Sequence, residues 1–202
     1  MSAPPYIALE GAEGCGKSTQ AALLAEALGA VLTRETGGTE IGRRLREILH
    51  DTAVTDLDDH AEALIAAADR AQHLARVVRP ALAKGRPVVS DRSVHSTLAY
   101  QGYGRGLDLA ELRRINDWAI AGLWPSRVIL LDAPAGELAA RLHGRDLDRF
   151  EQAGDDFHDR VIAGFHAMAA ADPERWTVVD ASGDVDTVFA RVLAAAGERV
   201  AP

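Results

Sequence analysis

The most constraining feature of this chain is a glycine-rich segment close to its start. Residues 11–18 read Gly-Ala-Glu-Gly-Cys-Gly-Lys-Ser, a complete G-x-x-x-x-G-K-[ST] phosphate loop. The strand-like run IALE precedes the loop and the helical run STQAALLAEAL follows it, which is the context that such a loop requires. Glycines let backbone N–H groups turn towards phosphate oxygens, and the N-terminus of the following helix adds its dipole. The pattern therefore predicts a nucleotide-binding protein.

The loop and the first turn of its helix supply the candidate residues for binding ATP. Lys17 is expected to reach the β- and γ-phosphates and to act in catalysis, and the Ser18 hydroxyl is expected to ligate Mg²⁺. Lys17 also stands out because the chain has 20 Arg and only two Lys, the other being Lys84. The full candidate set is Gly11, Ala12, Glu13, Gly14, Cys15, Gly16, Lys17, Ser18 and Thr19.

Strand-like apolar runs alternate with longer segments of helical periodicity along the chain. The expected strands are Tyr6–Glu10, Ala30–Thr33, Pro87–Asp91, Arg127–Asp132 and Thr177–Asp180. The expected helices lie near Lys17–Leu28, Thr39–Leu49, Asp58–Lys84, Leu109–Ala121, Ala135–Leu142, Phe150–Ala171 and Val185–Ala196. This alternation predicts a three-layer α/β/α fold around a mostly parallel five-stranded sheet, in a single domain over residues 1–202. Ligands of such sheets bind at the carboxyl ends of the strands.

Charge and composition exclude several classes of function. The net charge of −8, from 30 acidic against 22 basic residues, argues against DNA or RNA as the partner. Charges interrupt every apolar run before it reaches the roughly 18 residues of a membrane span. The first residues lack the basic region of a secretory signal, and the single cysteine cannot form an internal disulfide. We therefore expect a soluble, cytoplasmic protein without nucleic-acid or membrane partners.

The loop alone does not define the reaction, because GTPases, ATP-driven motors and small-metabolite kinases share it. The guanine-reading motif N-K-x-D is absent, which argues against a GTPase. A kinase also needs a second anion pocket for its acceptor and arginines that cover the transferring phosphoryl group. Arg34, Arg70 and Arg92, near the ends of expected elements, are candidates for the acceptor phosphate.

Several stretches beyond the loop resemble bacterial thymidylate kinases (dTMP kinases), in the order of that family. They are ALEGAEGCGKSTQ, TRETGGTEIGRRLREIL, ADRAQHLARVVRPAL, VVSDRSVHSTLAYQG, VILLDAPAGELAARL and LDRFEQ, and the likeness covers about residues 5–190. The resemblance implies the P-loop nucleoside monophosphate kinase fold. It also implies a reaction in which ATP donates its γ-phosphoryl group to dTMP, giving dTDP and ADP, with Mg²⁺ as cofactor and a homodimer as the assembly.

The resemblance further implies roles for residues outside the loop. Asp91 is expected beside the Mg²⁺ ion, and Glu10 is expected near the reacting phosphates as a catalytic residue. Arg92 is expected to hold the acceptor phosphate and to act in catalysis, while Arg70 reaches the acceptor's base or phosphate. The acceptor's sugar and base are expected to lie against Ser96, Tyr100 and Gln101.

The resemblance also bears on the arginine that stabilises the transferring phosphoryl group. Family members carry it either in the phosphate loop or in the lid, and here the loop position holds Glu13. The lid, at about residues 141–151, is therefore expected to supply it, with Arg145 and Arg149 as the catalytic candidates. Arg141, Arg145 and Arg149 are spaced by four residues, so on a helix they would line one face. The alternative interpretation of that spacing is a solvated charged face.

Three positions depart from the family pattern. Thr36 replaces a proline in the family's Arg-Glu-Pro-Gly-Gly-Thr, and Ser93 replaces the aromatic that follows Asp-Arg. Ala66 stands where the family has a phenylalanine that stacks on thymine. Such stacking contributes on the order of 1–3 kcal/mol, so its loss would weaken acceptor binding ~10- to 100-fold. The departures leave two alternatives open: a related nucleotide or nucleoside kinase with a different acceptor base, and a nucleotide-binding protein without turnover.

Overall fold

The structure is a computed structural model that describes residues 3–142, 144 and 147–197. Within these residues, five strands form one sheet in the order β2-β3-β1-β4-β5, and every neighbouring pair is parallel. The strands are β1 (Tyr6–Glu10), β2 (Val31–Arg34), β3 (Val88–Asp91), β4 (Arg127–Asp132) and β5 (Trp176–Asp180). The predicted five-stranded sheet is confirmed.

Helices cover both faces of this sheet. The helices are α1 (Lys17–Leu28), α2 (Glu40–His50), α3 (Asp59–His73), α4 (Arg79–Ala83), α5 (Val94–Thr97), α6 (Leu109–Ile120), α7 (Ala135–Leu142), α8 (Asp155–Ala171) and α9 (Val185–Gly197). Two π-helical segments, Leu74–Val78 and Leu98–Gly104, join α3 to α4 and extend α5. No helix in the described part of the chain is long and apolar enough to cross a membrane.

Side-chain caps set the start of several helices. The Thr39 hydroxyl accepts a hydrogen bond from the Gly42 N–H at 3.0 Å at the start of α2. Asp58 and Asp108 cap α3 and α6 in the same way, each with one carboxylate oxygen that accepts two N–H groups. Such caps satisfy N–H groups that lack partners inside the helix, and each contributes about 1 kcal/mol.

Strand alternation divides the core between the two faces of the sheet. Ile129 and Leu131 of β4 pack in a cluster with side chains of α1 and α9. Val128 and Leu130 of the same strand pack on the opposite face, in a cluster with the aromatic rings of α8. Burial on both faces explains why this strand has no polar residue between Arg127 and its terminal Asp132.

Three segments differ from what the sequence predicted. The expected helix Asp58–Lys84 is interrupted by the π-helical segment described above. The segment Val94–Gly104, which is not among the expected helices, is helical because its Leu98 and Ala99 side chains are fully buried, and tertiary packing overrides weak propensity. Helix α8 begins at Asp155, whereas the expected helix begins at Phe150.

The segment before that helix shows why the expectation was wrong. The Asp148 carboxylate accepts hydrogen bonds from the N–H groups of Phe150 and Glu151, at 2.9 and 3.0 Å, and holds them in a turn. Helix α7 spans Ala135–Leu142, as expected, and Arg149 lies in the turn, so Arg141 and Arg149 are not on one helix and the condition for a shared helix face is not met.

Candidate active site

The phosphate loop joins β1 to α1 at the carboxyl edge of the sheet. Gly11, Gly14 and Gly16 all have positive φ, at 143°, 78° and 88°. At Gly11 a Cβ would clash with the Leu131 carbonyl oxygen and lie 2.9 Å from the Cys15 sulfur. The loop therefore needs glycine at this position for space as well as for backbone conformation.

Lys17 lies at the first position of α1 and curls back over the loop. Its ammonium group donates to the Ala12 carbonyl at 2.7 Å and lies 3.5 Å from the Cys15 sulfur. The side chain is only 7% exposed. Lys17 is thus enclosed by the loop backbone that is expected to surround the phosphates.

Ser18 and Asp91 meet beside the loop. The Ser18 hydroxyl donates to the Asp91 carboxylate at 2.5 Å, which joins the start of α1 to the end of β3. A hydroxyl and a carboxylate are oxygen ligands of the kind that Mg²⁺ uses together with substrate phosphates. The pair therefore fits the predicted metal site.

Glu10, the last residue of β1, is fully buried under the turn that follows β3. Its carboxylate accepts hydrogen bonds from the Ser93 N–H and hydroxyl, at 2.8 and 2.7 Å, and from the Ser96 hydroxyl at 2.6 Å. Burial raises the pKa of Glu10, while Arg92 and the serine hydroxyls act in the opposite direction. Ser93, at the position where the family has an aromatic residue, is thus a hydrogen-bond donor to Glu10.

Arg92 connects the acceptor side of the cleft to the phosphate loop. It is a non-glycine residue with φ of 69°, a backbone conformation that directs its side chain over the loop. Its guanidinium donates to the Gly11 carbonyl at 3.2 Å, to the Tyr100 hydroxyl at 2.9 Å, and to Glu13. Burial opposes ionisation of Glu13, but Arg92 and then Lys17 outweigh it and lower its pKa to about 2.

Arg70 is held by a buried network on the floor of the cleft. Its Nε donates to Glu35 at 2.8 Å, and its Nη atoms donate to Thr97 at 3.1 Å and to Asn116. The other Glu35 oxygen lies 2.8 Å from Nδ1 of His73. Burial opposes ionisation of Glu35, but Arg70 and His73 together lower its pKa.

Many of these residues line one cleft with a volume of about 400 Å³, but Glu10 is not among them. The cleft brings together the predicted Lys17, Ser18, Asp91, Arg92, Arg70, Ser96, Tyr100 and Gln101. Several further lining residues were not predicted as site residues from the sequence, among them Arg46, Leu49, His50, Asp148 and Phe150. Their only sequence signal is their place in family-like stretches, since periodicity indicates ordinary helix or loop positions.

Comparison with known proteins identifies the family. The family model for thymidylate kinase matches residues 9–192. The chain belongs to the thymidylate kinase family. It is 50% identical over 194 residues to a thymidylate kinase of Synechococcus sp. (strain JA-3-3Ab), covering 93% of this chain and 92% of that protein. It is 46% identical over 199 residues to one of Clavibacter sepedonicus, covering 95% and 93%. The crystal structure of thymidylate kinase from Ehrlichia chaffeensis matches with a TM-score of 0.78 and 30% identity, covering 95% of this chain and 98% of that one.

The lid arginines of this thymidylate kinase family member occupy different environments. Arg141 borders the phosphate loop, with Nη1 3.5 Å from the Gly14 carbonyl. Arg149 is directed elsewhere: its guanidinium donates to Glu62 at 2.6 Å and to the Leu49 carbonyl at 2.9 Å. Arg145 lies outside the described residues. The expectation that Arg149 meets the transferring phosphoryl group is therefore still a prediction.

Glu62 links Arg149 to the acceptor side of the cleft. It is fully buried in α3, and its carboxylate accepts from Gln101 at 2.8 Å and from Arg105 at 3.1 Å in addition to Arg149. Three donors on one buried carboxylate fix the Gln101 amide with its NH₂ group towards Glu62. The Gln101 oxygen is then the atom available for a ligand in the cleft.

Proposed function

We propose that this cleft transfers the γ-phosphoryl group of ATP to dTMP, giving ADP and dTDP. The observation that carries the proposal is the contact between Arg92 and the Gly11 carbonyl, which sets an acceptor-side cation directly against the phosphate loop. Family membership supplies the identity of the acceptor. In-line transfer requires the two phosphates to meet at this point.

On the donor side, the loop N–H groups and Lys17 bind the β- and γ-phosphates. Lys17 exchanges the Ala12 carbonyl for phosphate oxygen, because its ammonium group lies within the loop already. Ser18 and Asp91 would hold the Mg²⁺ ion. When bound, the ion neutralises charge on the β- and γ-phosphate oxygens.

On the acceptor side, Arg92 and Arg70 bind the acceptor phosphate, and Ser96, Tyr100 and Gln101 border the nucleoside. A nucleoside monophosphate is an ionised nucleophile at neutral pH, so the reaction needs positioning and charge neutralisation rather than a general base. Glu10 accordingly serves as a positioning residue, because its three hydrogen bonds fix the turn that carries Arg92.

The cation for the transferring phosphoryl group comes from the lid at about residues 141–151, with Arg145 and Arg149 as the proposed sources. Arg149 has to exchange Glu62 for the phosphoryl group in this step. Arg141 already borders the loop, so it is the lid arginine with which Arg149 is compared.

The test is the release of ADP from ATP and Mg²⁺ with a panel of acceptors: dTMP, dUMP, dCMP, dGMP, AMP, GMP and CMP. The highest kcat/KM is expected with dTMP. Lys17→Ala should abolish turnover with the fold retained, whereas Lys84→Ala, the exposed lysine, should leave it unchanged. Normal turnover by Lys17→Ala would refute the phosphate-loop mechanism.

One observation favours a second candidate function, a kinase of the same fold with another acceptor base. Ala66 lines the cleft and presents only a methyl group where the resemblance implies a stacking ring. Turnover of another monophosphate with little response to dTMP would establish this alternative. No turnover with any acceptor would establish the other alternative, a nucleotide-binding protein without turnover.

We also propose a cytoplasmic homodimer in which residues 1–202 form a single kinase domain. The support for the dimer is one exposed apolar side chain on each of the packed helices α3 and α6: Leu64 is 54% and Trp118 is 84% exposed. Light scattering should give twice the mass of one chain, and Trp118→Glu should give the mass of one. A single-chain mass for the unchanged protein would refute the dimer.

A further inference from the structure

The cleft has a charged end and an apolar end. Lys17 and Arg92 define the charged end beside the phosphate loop. Leu49, Ala66 and Phe150 line the other end and belong to one buried apolar cluster. Because the acceptor phosphate has to point to the charged end, the acceptor base extends towards the apolar end.

Three aromatic rings line the cleft among the residues that the structure describes: His50, Tyr100 and Phe150. Helix α3 contributes none of them, since position 66 carries a methyl group. A planar base gains most from contact with an aromatic ring. The question is therefore which of the three rings is available to it.

Tyr100 is already engaged at the charged end. Its hydroxyl donates to Glu13 at 3.0 Å and accepts from Arg92 at 2.9 Å. The Arg92 guanidinium also lies 5.0 Å from the centre of its ring. These contacts orient Tyr100 towards the phosphates and the sugar rather than the base.

His50 and Phe150 act as one unit. Nδ1 of His50 lies 2.6 Å from the Asp148 carboxylate, and that carboxylate also accepts the Phe150 N–H at 2.9 Å. The two rings meet edge to face with their centres 5.2 Å apart. His50 is thus committed to holding the turn in place, and Phe150 is the ring that this arrangement fixes against the cleft.

Arg149 defines which side of Phe150 is accessible. Its guanidinium carbon lies 4.8 Å from the centre of the Phe150 ring, and Glu62 and the Leu49 carbonyl hold it there. One side of the ring is therefore covered. A base in the cleft has to contact a part of the ring that Arg149 does not cover.

We propose that Phe150 supplies the aromatic contact for the acceptor base, in place of a ring at position 66. The inference rests on the proposed function and assigns to it a specificity residue from the last part of the lid. Binding of the base then depends on the docking of residues 147–151 onto the end of α2, because Asp148 holds the turn in position through His50 and the Phe150 N–H.

The test compares Phe150→Leu with the matched control Phe157→Leu. Phe157 also packs on Tyr100, with ring centres 6.0 Å apart, but it does not line the cleft. Phe150→Leu should raise the KM for dTMP about tenfold, the order expected for losing part of a stacking contact. The KM for ATP should stay unchanged, and Phe157→Leu should leave both values within about twofold of the unchanged protein.

Two further measurements separate a base contact from a general structural effect. The inhibition constant of 2-deoxyribose 5-phosphate, which has the acceptor's sugar and phosphate but no base, should be the same for Phe150→Leu and the unchanged protein. Adding Ala66→Phe to Phe150→Leu should lower the KM for dTMP again. If Phe150→Leu fails to fold, Phe150→Met takes its place in the same comparison.

Three outcomes would overturn the proposal: an unchanged KM for dTMP in the folded variant, an equal effect from Phe157→Leu, or equal weakening of the baseless analogue. Failure of the unchanged protein to phosphorylate dTMP would instead refute the proposed function. That result is read from the unchanged protein alone, so the two failures are distinguishable.

Discussion

The buried pair of Arg70 and Glu35 makes a sharp test of how the acceptor site is held. Both side chains are almost completely buried, with 2% and 1% exposed. The other hydrogen-bond acceptors around Arg70, namely Thr97, Asn116 and the Ser93 carbonyl, are neutral. Glu35 is therefore the group that balances the buried guanidinium charge.

We expect Glu35→Gln to lower the free energy of unfolding by about 3 kcal/mol. Removing one partner of a buried ion pair costs about 3–5 kcal/mol, and the lower end applies because the amide oxygen still accepts one hydrogen bond. At roughly 2–4 °C per kcal/mol for a chain of this size, Tm should fall by about 6–12 °C. The KM for dTMP should also rise, because Arg70 lines the cleft.

Urea unfolding followed by circular dichroism measures the effect. The matched control is Glu111→Gln, the same chemical change at an exposed pair with Arg114, where the loss should stay within about 0.5 kcal/mol. The folded protein lowers the pKa of Glu35, so its stabilisation is present above the ordinary value of 4.5 and is lost as pH falls below it. The difference in unfolding free energy between the unchanged protein and Glu35→Gln should therefore shrink on acidification. A loss no larger than that of Glu111→Gln would refute the reasoning.

Three further predictions concern the loop and the lid. Because the pKa of Glu13 is about 2 against an ordinary value of 4.5, the stability difference between the unchanged protein and Glu13→Gln should be constant above about pH 5 and shrink between pH 4.5 and 2. Urea unfolding at a series of pH values measures this stability difference, and a difference that grows on acidification would contradict the prediction. Gly11→Ala should lower Tm and raise the KM for ATP, since its Cβ has no space; a variant with normal Tm and ATP affinity would show that the loop tolerates a side chain. Arg149→Ala should lower kcat by ~10²- to 10⁴-fold with little change in the KM for ATP, and Arg141→Ala should lower it less. The reverse order in steady-state kinetics would transfer the role to Arg141.

Much of the fold was predictable from local patterns. The β4 run VILLD is apolar on both sides because both faces of the sheet are covered, so its pattern alone indicates a buried parallel strand. The phosphate loop was also predictable from a local pattern, since its glycines are required by the backbone conformation of the loop and Lys17 follows them directly in the motif. Elements held by distant contacts were not: Val94–Gly104 has weak helical propensity, and burial of its side chains stabilises it.

The candidate site divides in the same way. Ser18 and Asp91 were both expected at the Mg²⁺ ion, Ser18 from the loop motif and Asp91 from the resemblance, and the structure joins them because β1 and β3 end at the same edge of the sheet. The spacing of Arg141 and Arg149 would place them on one face only if a helix included both, and Arg149 lies instead in the turn that Asp148 holds. Spacing predicts a shared face only where a helix includes both residues.

By itself, then, the sequence determined the phosphate loop, the order of strands and helices, and the kinase family, because these depend on residues adjacent in the chain. Only the tertiary structure decided that Glu13 binds Arg92, that Arg149 binds Glu62, and that Phe150 borders the same cleft as Ala66. The physical reason is that each of these contacts joins residues about 80 or more positions apart. Which of many charged or aromatic side chains becomes a partner depends on how the helices pack, which no local pattern encodes.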